Sequence, residues 1–143
     1  MRMISIGALA ALTLFAAGAA AAATEHFTAT LKGSEETPPN DSKGTGELDA
    51  TLDPATKVLA YKVTYSGLSG PAVAAHFHGP AAPKAVAPPV VPVPKDKLAS
   101  PIVGQAPLSD PQIEELKTGQ WYFNIHTAAN PGGEIRGQVT KAK

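Results

Sequence analysis

Three histidines lie in two short segments whose residue pattern is typical of β-strands. His76 and His78 are two residues apart, and His126 lies much further along the chain. Because residues two apart along a strand project from the same face, His76 and His78 are predicted to point in the same direction. The alternate positions of both segments are apolar and predict the core face: Val73, Ala75, Phe77, Trp121, Phe123 and Ile125. The histidines are therefore predicted to lie opposite the core, where packing does not require an imidazole.

Three imidazoles on neighbouring strands form a ligand set that suits copper and zinc, and they leave a coordination position open for water or substrate. His76, His78 and His126 are therefore candidate metal ligands. The alternative is that these side chains only connect loops through hydrogen bonds. The chain has no cysteine, so any metal site must use nitrogen and oxygen ligands.

Two polar residues are candidates for orienting the imidazole rings by hydrogen bonds to the ring nitrogens that do not bind the metal. Asn124 shares a strand face with His126, and Glu134 lies across the predicted hairpin. Each has a plainer interpretation. Asn124 can bond a neighbouring loop, and Glu134 can form with Arg136 an ordinary surface ion pair, which contributes little stability.

The amino terminus has the features of a secretory signal. Arg2 precedes an apolar run from Met3 to about Gly18, and the small residues 19–23 follow. Residues 1–23 are therefore predicted to be a cleaved signal, which places the mature protein in the periplasm or outside the cell. A membrane anchor is the alternative, but the apolar run is short for a spanning helix.

Residues 24–143 have a suitable length for one domain. Without Arg2 this part carries 11 basic and 12 acidic side chains, so its net charge is −1. Such a balance argues against nucleic acid or an anionic membrane as the main partner. A metal ion and another exported protein are the partner classes that remain.

Short alternating runs separated by Gly, Pro, Asn and Asp predict an antiparallel all-β domain. The runs cover residues 26–31, 48–52, 58–65, 73–78, 120–127 and 134–140. One short helix is predicted from a cap at Ser109 or Asp110, with Pro111 in its first turn, to Gly119. About seven strands and this helix favour a two-sheet Greek-key sandwich.

The segment 81–101 is rich in Pro, Ala and Val. Because proline lacks an N–H donor, this segment is predicted to form no central strand and to run over the surface as an extended insertion. A linker between two domains is rejected, since the histidines lie on both sides of it.

Other chemistries lack a signature. The chain has no cysteine nucleophile, no phosphate-binding glycine loop after a strand, and no serine in an elbow motif. Glu35 and Glu36 form a carboxylate pair in the polar loop 34–44, and they are predicted to be solvated. No enzyme class is indicated by these residues.

Four motifs together resemble the CHRD domain, a module repeated in the animal protein chordin and found alone in many bacterial exported proteins. They are YKVTYSGL (61–68), AHFHGP (75–80), GQWYFNIHT (119–127) and PGGEIRGQ (131–138). The resemblance covers nearly the whole mature chain. It implies a β-rich extracytoplasmic module, and most bacterial members have no assigned activity.

The His-x-His strand is also weakly similar to Cu,Zn superoxide dismutase, in which such a pair and later histidines bind copper. That similarity implies that His76, His78 and His126 match copper ligands. The chain lacks the cysteine pair of that sandwich, and its one remaining histidine is His26. A copper site is therefore carried over, and the dismutase reaction is not.

The leading hypothesis is an exported metal-binding protein for storage, delivery or sequestration, with copper ahead of zinc. The alternative is a metal-free extracellular interaction module, and a dismutase-like redox enzyme is a distant third.

A separate site is also predicted at His26. If the signal ends at Ala23, the mature chain begins Thr24-Glu25-His26, whose amine, two amides and imidazole offer the planar nitrogen set that favours Cu(II) or Ni(II). Otherwise His26 is only a polar residue at the start of the first strand.

Overall fold

The computed structural model describes residues 17–143, and within this range the chain forms eight strands and one α-helix. The elements in chain order are β1 (Glu25–Lys32), β2 (Thr45–Asp53), β3 (Val58–Ser66), β4 (Ala72–His78), β5 (Pro89–Pro92), β6 (Ile102–Pro107), α1 (Asp110–Lys117), β7 (Trp121–Thr127) and β8 (Ile135–Lys141). Most of the predicted signal, residues 1–16, lies outside the described residues. Among residues 17–143 no helix has both the length and the apolar character needed to cross a membrane.

The strands form one antiparallel sheet in the order β5-β4-β7-β8-β1-β2-β3-β6. The prediction of an antiparallel all-β domain with one short helix is therefore confirmed. The division into two sheets of a Greek-key sandwich is not confirmed, because the strand pairing continues from one edge of the sheet to the other. The sheet curls around a single core and is nearly closed. Tyr61 of β3 and Phe77 of β4 come from opposite parts of the sheet, and their ring centroids are 5.1 Å apart.

Alternating side chains build this core as the sequence pattern predicts. In β1, Phe27, Ala29 and Leu31 are buried, while the residues between them are exposed. The six predicted strands are all present. Val73 corrects one detail of the pattern, since its side chain is 48% exposed although it was expected in the core. The pairing of β4 with β7 shifts register between Ala72 and Ala74, so the alternation does not extend to this end of the strand.

The segment 81–101 does more than cover the surface. Its residues Pro89–Pro92 form the edge strand β5, and Val91 and Val93 are buried. The backbone N–H of Val93 donates to the carbonyl of Ala75 in β4 at 2.9 Å. The chain then reaches Ile102, which pairs with β3 at the other edge of the sheet. The segment thus links the two edges, and its prolines agree with an edge position.

The helix α1 agrees with its sequence signals. Ser109 caps it, with its side chain accepting from the backbone N–H of Gln112, and the Gln112 side chain accepts from the N–H of Ser109. Leu116 is fully buried in the core. Gly119 follows the helix with a φ of +72°, a conformation that suits glycine.

Strand β7 is buried on both faces. Trp121, Phe123 and Ile125 fill the core, and Tyr122 and Asn124 on the opposite face are also buried. Two loops, residues 33–44 and 79–88, cover that second face. They are held there by contacts such as the 2.7 Å hydrogen bond from the Arg136 guanidinium in β8 to a backbone carbonyl of loop 79–88. The face outside the sheet therefore carries a polar layer, and the candidate site lies within it.

Candidate metal centre

The pairing of β4 with β7 brings the three predicted histidines together. His76 lies opposite Asn124, and His126 lies opposite Ala74, so His76 and His126 are diagonal neighbours on one face. One ring nitrogen from each of His76, His78 and His126 lies within 4.8 Å of the other two. The predicted clustering of the histidines on the face opposite the core is confirmed.

The closest pair of nitrogens has a separation suited to a shared ion. Nδ1 of His76 is 3.3 Å from Nε2 of His126. Two nitrogens bound to a tetrahedral zinc ion at about 2.0–2.1 Å are roughly 3.3–3.4 Å apart. The other ring nitrogen of His126, Nδ1, is 2.9 Å from the carbonyl oxygen of Pro131. Because a carbonyl only accepts, Nδ1 carries the proton and Nε2 presents its lone pair to His76.

His78 is the most buried of the three, with 7% of its surface exposed. Its Nδ1 lies 2.8 Å from the carbonyl oxygen of Ala87, and its Nε2 lies 2.9 Å from Oδ1 of Asn124. The imidazole stacks on the Tyr122 ring at 4.6 Å with an interplanar angle of 5°. The Arg136 guanidinium lies 3.5 Å from the centroid of the same ring. His78 is therefore held firmly by its neighbours.

Burial lowers the pKa of both His76 and His78, and the neighbouring histidines add to the effect. For His78, hydrogen bonding to Ala87 and Asn124 opposes this shift. The net direction favours the neutral imidazole, which is the form that binds metal ions.

Asn124 lies where the sequence predicts, in contact with a candidate ligand. Its side chain is 3% exposed and bonds His78. Glu134, the second predicted orienting residue, is not brought to the histidines. Its buried carboxylate instead accepts hydrogen bonds from Ser42, Ser69 and Thr127. Glu134 connects loops around the polar layer.

The electrostatics of Glu134 fit this connecting role. Burial alone would raise the pKa of its carboxyl group, but the hydrogen bonds from Ser42, Ser69 and Thr127 outweigh burial and lower it to about 2. Glu134 and Arg136 are both buried. The interpretation of these two residues as an exposed surface pair is therefore wrong.

Glu36 is the polar residue that the sequence prediction missed. It was expected to be solvated, but its side chain is only 4% exposed. Burial raises the pKa of its carboxyl group to about 7, while Arg136 and the Asn124 amide act in the opposite direction. Oε1 of Glu36 has no hydrogen-bond partner within residues 17–143. A Cβ atom on Gly133 would collide with both Glu36 and Asn124. A glycine at this position is therefore a sequence signal that other side chains pack closely against the backbone of the turn.

His26 lies outside the histidine cluster. It belongs to β1, its side chain is exposed, and its carbonyl accepts from the N–H of Ala142 at 2.9 Å. A planar copper site at the amino terminus would use Glu25 and His26, the first residues of that strand. This second site stays a prediction.

Most of the chain resembles one known protein family. Residues 27–139 match a protein-family model described as the CHRD domain. The match includes the candidate ligands together with Asn124 and Glu36. No curated protein and no solved structure matches the chain significantly.

Proposed function

This chain belongs to the CHRD domain family, and we propose that it acts outside the cytoplasm as a metal-binding module. CHRD domains are typically extracellular, which supports the predicted export to the periplasm or the cell exterior. The metal is copper in the first instance and zinc in the second. Its role is storage, delivery or sequestration of the ion.

One observation carries the proposal: Nδ1 of His76 and Nε2 of His126 are 3.3 Å apart on a partly exposed face, with His78 beside them. At this separation Nδ1 of His76 can donate to Nε2 of His126, and the same separation suits an ion bound by both nitrogens once the His76 proton is on its other ring nitrogen. The carbonyl of Pro131 fixes which nitrogen of His126 faces the cluster. A bound ion would have coordination positions left for an external ligand, as delivery to another exported protein requires.

A metal-free interaction module is the second candidate function. It is favoured by the hydrogen bonds that His78 makes with Ala87 and Asn124 and that His126 makes with Pro131. These bonds can connect the loops to the sheet without an ion. The two candidates differ in what the purified protein contains.

Elemental analysis of protein purified from the exported fraction tests the proposal. His26→Ala serves as the background of the test, because it removes the separate amino-terminal copper site and leaves the cluster intact. In this background the protein should retain close to one equivalent of copper or zinc after dialysis against metal-free buffer, and adding His76→Ala/His126→Ala should leave none. Equal metal content with and without His76→Ala/His126→Ala would favour the interaction module.

A further inference from the structure

His78 differs from the other two histidines in the way its nitrogens are used. Both Nδ1 and Nε2 face oxygen atoms, those of Ala87 and Asn124, at 2.8 and 2.9 Å. A neutral imidazole carries one N–H, and in His78 Nε2 donates it to Oδ1 of Asn124, so this nitrogen has no lone pair to offer an ion. The lone pair of Nδ1 lies against the Ala87 carbonyl. His126 offers Nε2, and His76 offers Nδ1 when its proton is on Nε2, so these two can receive an ion and His78 cannot.

Asn124 lies between His78 and the buried carboxylate of Glu36. Its Oδ1 faces Nε2 of His78, and its Nδ2 packs against Gly133 beside Oε1 of Glu36. Above the pKa of Glu36, which is about 7, its carboxyl group is ionised and only accepts hydrogen bonds, so it attracts the NH₂ end of the amide. The carbonyl end is then left for His78, and the nearby charge of Glu36 favours this orientation of Asn124.

We propose that Glu36 and Asn124 form a latch that holds His78 away from the ion until His76 and His126 have bound it. This inference rests on the proposed function and adds its regulation. When the latch opens, the proton of His78 moves from Nε2 to Nδ1, and Nε2 exchanges its bond to Asn124 for a bond to the metal. The contact between Nδ1 and Ala87 can remain, because ligating histidines commonly donate their other N–H to a backbone carbonyl.

The latch opposes metal binding by about the strength of one hydrogen bond. Removing it should therefore tighten binding by roughly three- to tenfold. The test is isothermal titration of the full mature chain with Zn(II) alone at pH 8, where Glu36 is largely ionised, comparing the wild type with Asn124→Ala. Glu36→Gln is the second variant, since it keeps the shape and removes the charge that orients the amide; a smaller tightening in the same direction is expected.

Asn40→Ala is the matched control. The Asn40 amide donates to the backbone carbonyls of Gly133 and Glu134 at 3.3 and 3.0 Å, so the variant loses a partly buried amide beside the same turn without touching His78. Its zinc affinity should equal that of the wild type. Urea unfolding of every variant establishes that the compared proteins are folded.

The gain in Asn124→Ala should disappear when His78→Ala is added, because the latch acts only on His78. Unchanged or weaker zinc binding in Asn124→Ala, or a gain that survives His78→Ala, would overturn the latch while leaving the proposed function intact. Zinc binding by Asn124→Ala but not by the wild type would support the latch and refute metal binding by the wild type. Failure of both proteins to bind zinc would overturn both.

Discussion

Nδ1 of His76 and Nε2 of His126 lie 3.3 Å apart although 50 residues separate them in the chain. Their approach follows from the register of β4 and β7, in which His126 lies opposite Ala74 and next to His76 across the strands. The sheet thus presents two nitrogens to one point on its outer face.

Metal binding should stabilise the fold in proportion to occupancy. At about 100 times the dissociation constant, an ion that binds only the folded state adds about 2.7 kcal/mol to the free energy of unfolding. Thermal unfolding with copper, zinc or chelator should show this gain in the wild type and in His26→Ala, and not in His126→Ala. Identical melting temperatures in all three conditions would contradict a metal site in the folded protein.

The pH dependence of that gain follows from the imidazoles. Burial lowers the pKa of His76 and His78, so both stay neutral to lower pH than an exposed histidine would. The metal-dependent rise in melting temperature should persist at pH 7 and fade below about pH 6, as protons compete with the ion. A rise that is constant from pH 5 to 8 would point to carboxylate ligands instead.

Glu36 should make the fold less stable as the pH rises. The pKa of its carboxyl group is about 7 in the folded protein against an ordinary value of 4.5, so the folded state binds the proton more tightly than the unfolded state. Its contribution is therefore fully present below about pH 4.5 and lost as the pH passes 7, a change of up to about 3 kcal/mol. Urea unfolding between pH 4.5 and 8 should show this decline in the wild type.

Glu36→Gln resembles the protonated form and should lack the decline, becoming more stable than the wild type above pH 7. Glu35→Gln is the control, because it leaves the buried carboxyl in place and should keep the wild-type profile. Parallel stability profiles for the wild type and Glu36→Gln would show that the carboxyl group titrates normally.

Glu134 should have the opposite effect and make the fold more stable as the pH rises. The pKa of its carboxyl group is about 2 in the fold, so its contribution is present above about pH 4.5 and is lost as the pH falls toward 2. Glu134→Gln should cost about 2–3 kcal/mol at pH 7, since hydrogen bonds to a buried charge are lost. Glu47→Gln is the control, because Glu47 accepts one exposed hydrogen bond from Thr30 and should cost under about 0.5 kcal/mol. Similar costs for the two variants would contradict the connecting role of Glu134.

The sequence predicted those parts of the molecule that depend on local alternation. Strand parity alone predicted that the three histidines share the face opposite Phe123, and the structure agrees. The same rule failed at Val73, where a register shift interrupts the strand. Edge strand β5 was not predicted, because its prolines obscure the strand pattern and an edge strand needs hydrogen bonds on only one side.

The electrostatics of the site could not be predicted in the same way. Glu36 and Glu134 both lie in polar stretches of sequence, and their burial depends on loops folding over the outer face of the sheet. One carboxyl group meets hydroxyl donors and the other meets few partners, so their pKa values move apart. Such a difference arises from tertiary contacts that no local pattern encodes.

The predicted site at His26 depends on where the signal is cut. Amino-terminal sequencing of the exported protein should find Thr24 first, and His26→Ala should then remove one Cu(II) equivalent while the cluster of His76, His78 and His126 stays occupied. Copper at this position would compete with the pairing at the start of β1, so the backbone amides at the start of β1 should exchange their hydrogens faster when copper is bound. A mature chain that begins at any other residue would contradict the predicted site at His26.

The most direct measurement of the central claim is an anomalous-scattering map from crystals of the mature protein grown with zinc or copper. We expect one peak at about 2.0–2.1 Å from both Nδ1 of His76 and Nε2 of His126. Crystals of His76→Ala/His126→Ala grown in the same way should lack that peak. A map without a peak between these two nitrogens, in crystals that contain the metal at saturating concentration, would contradict the proposed metal centre.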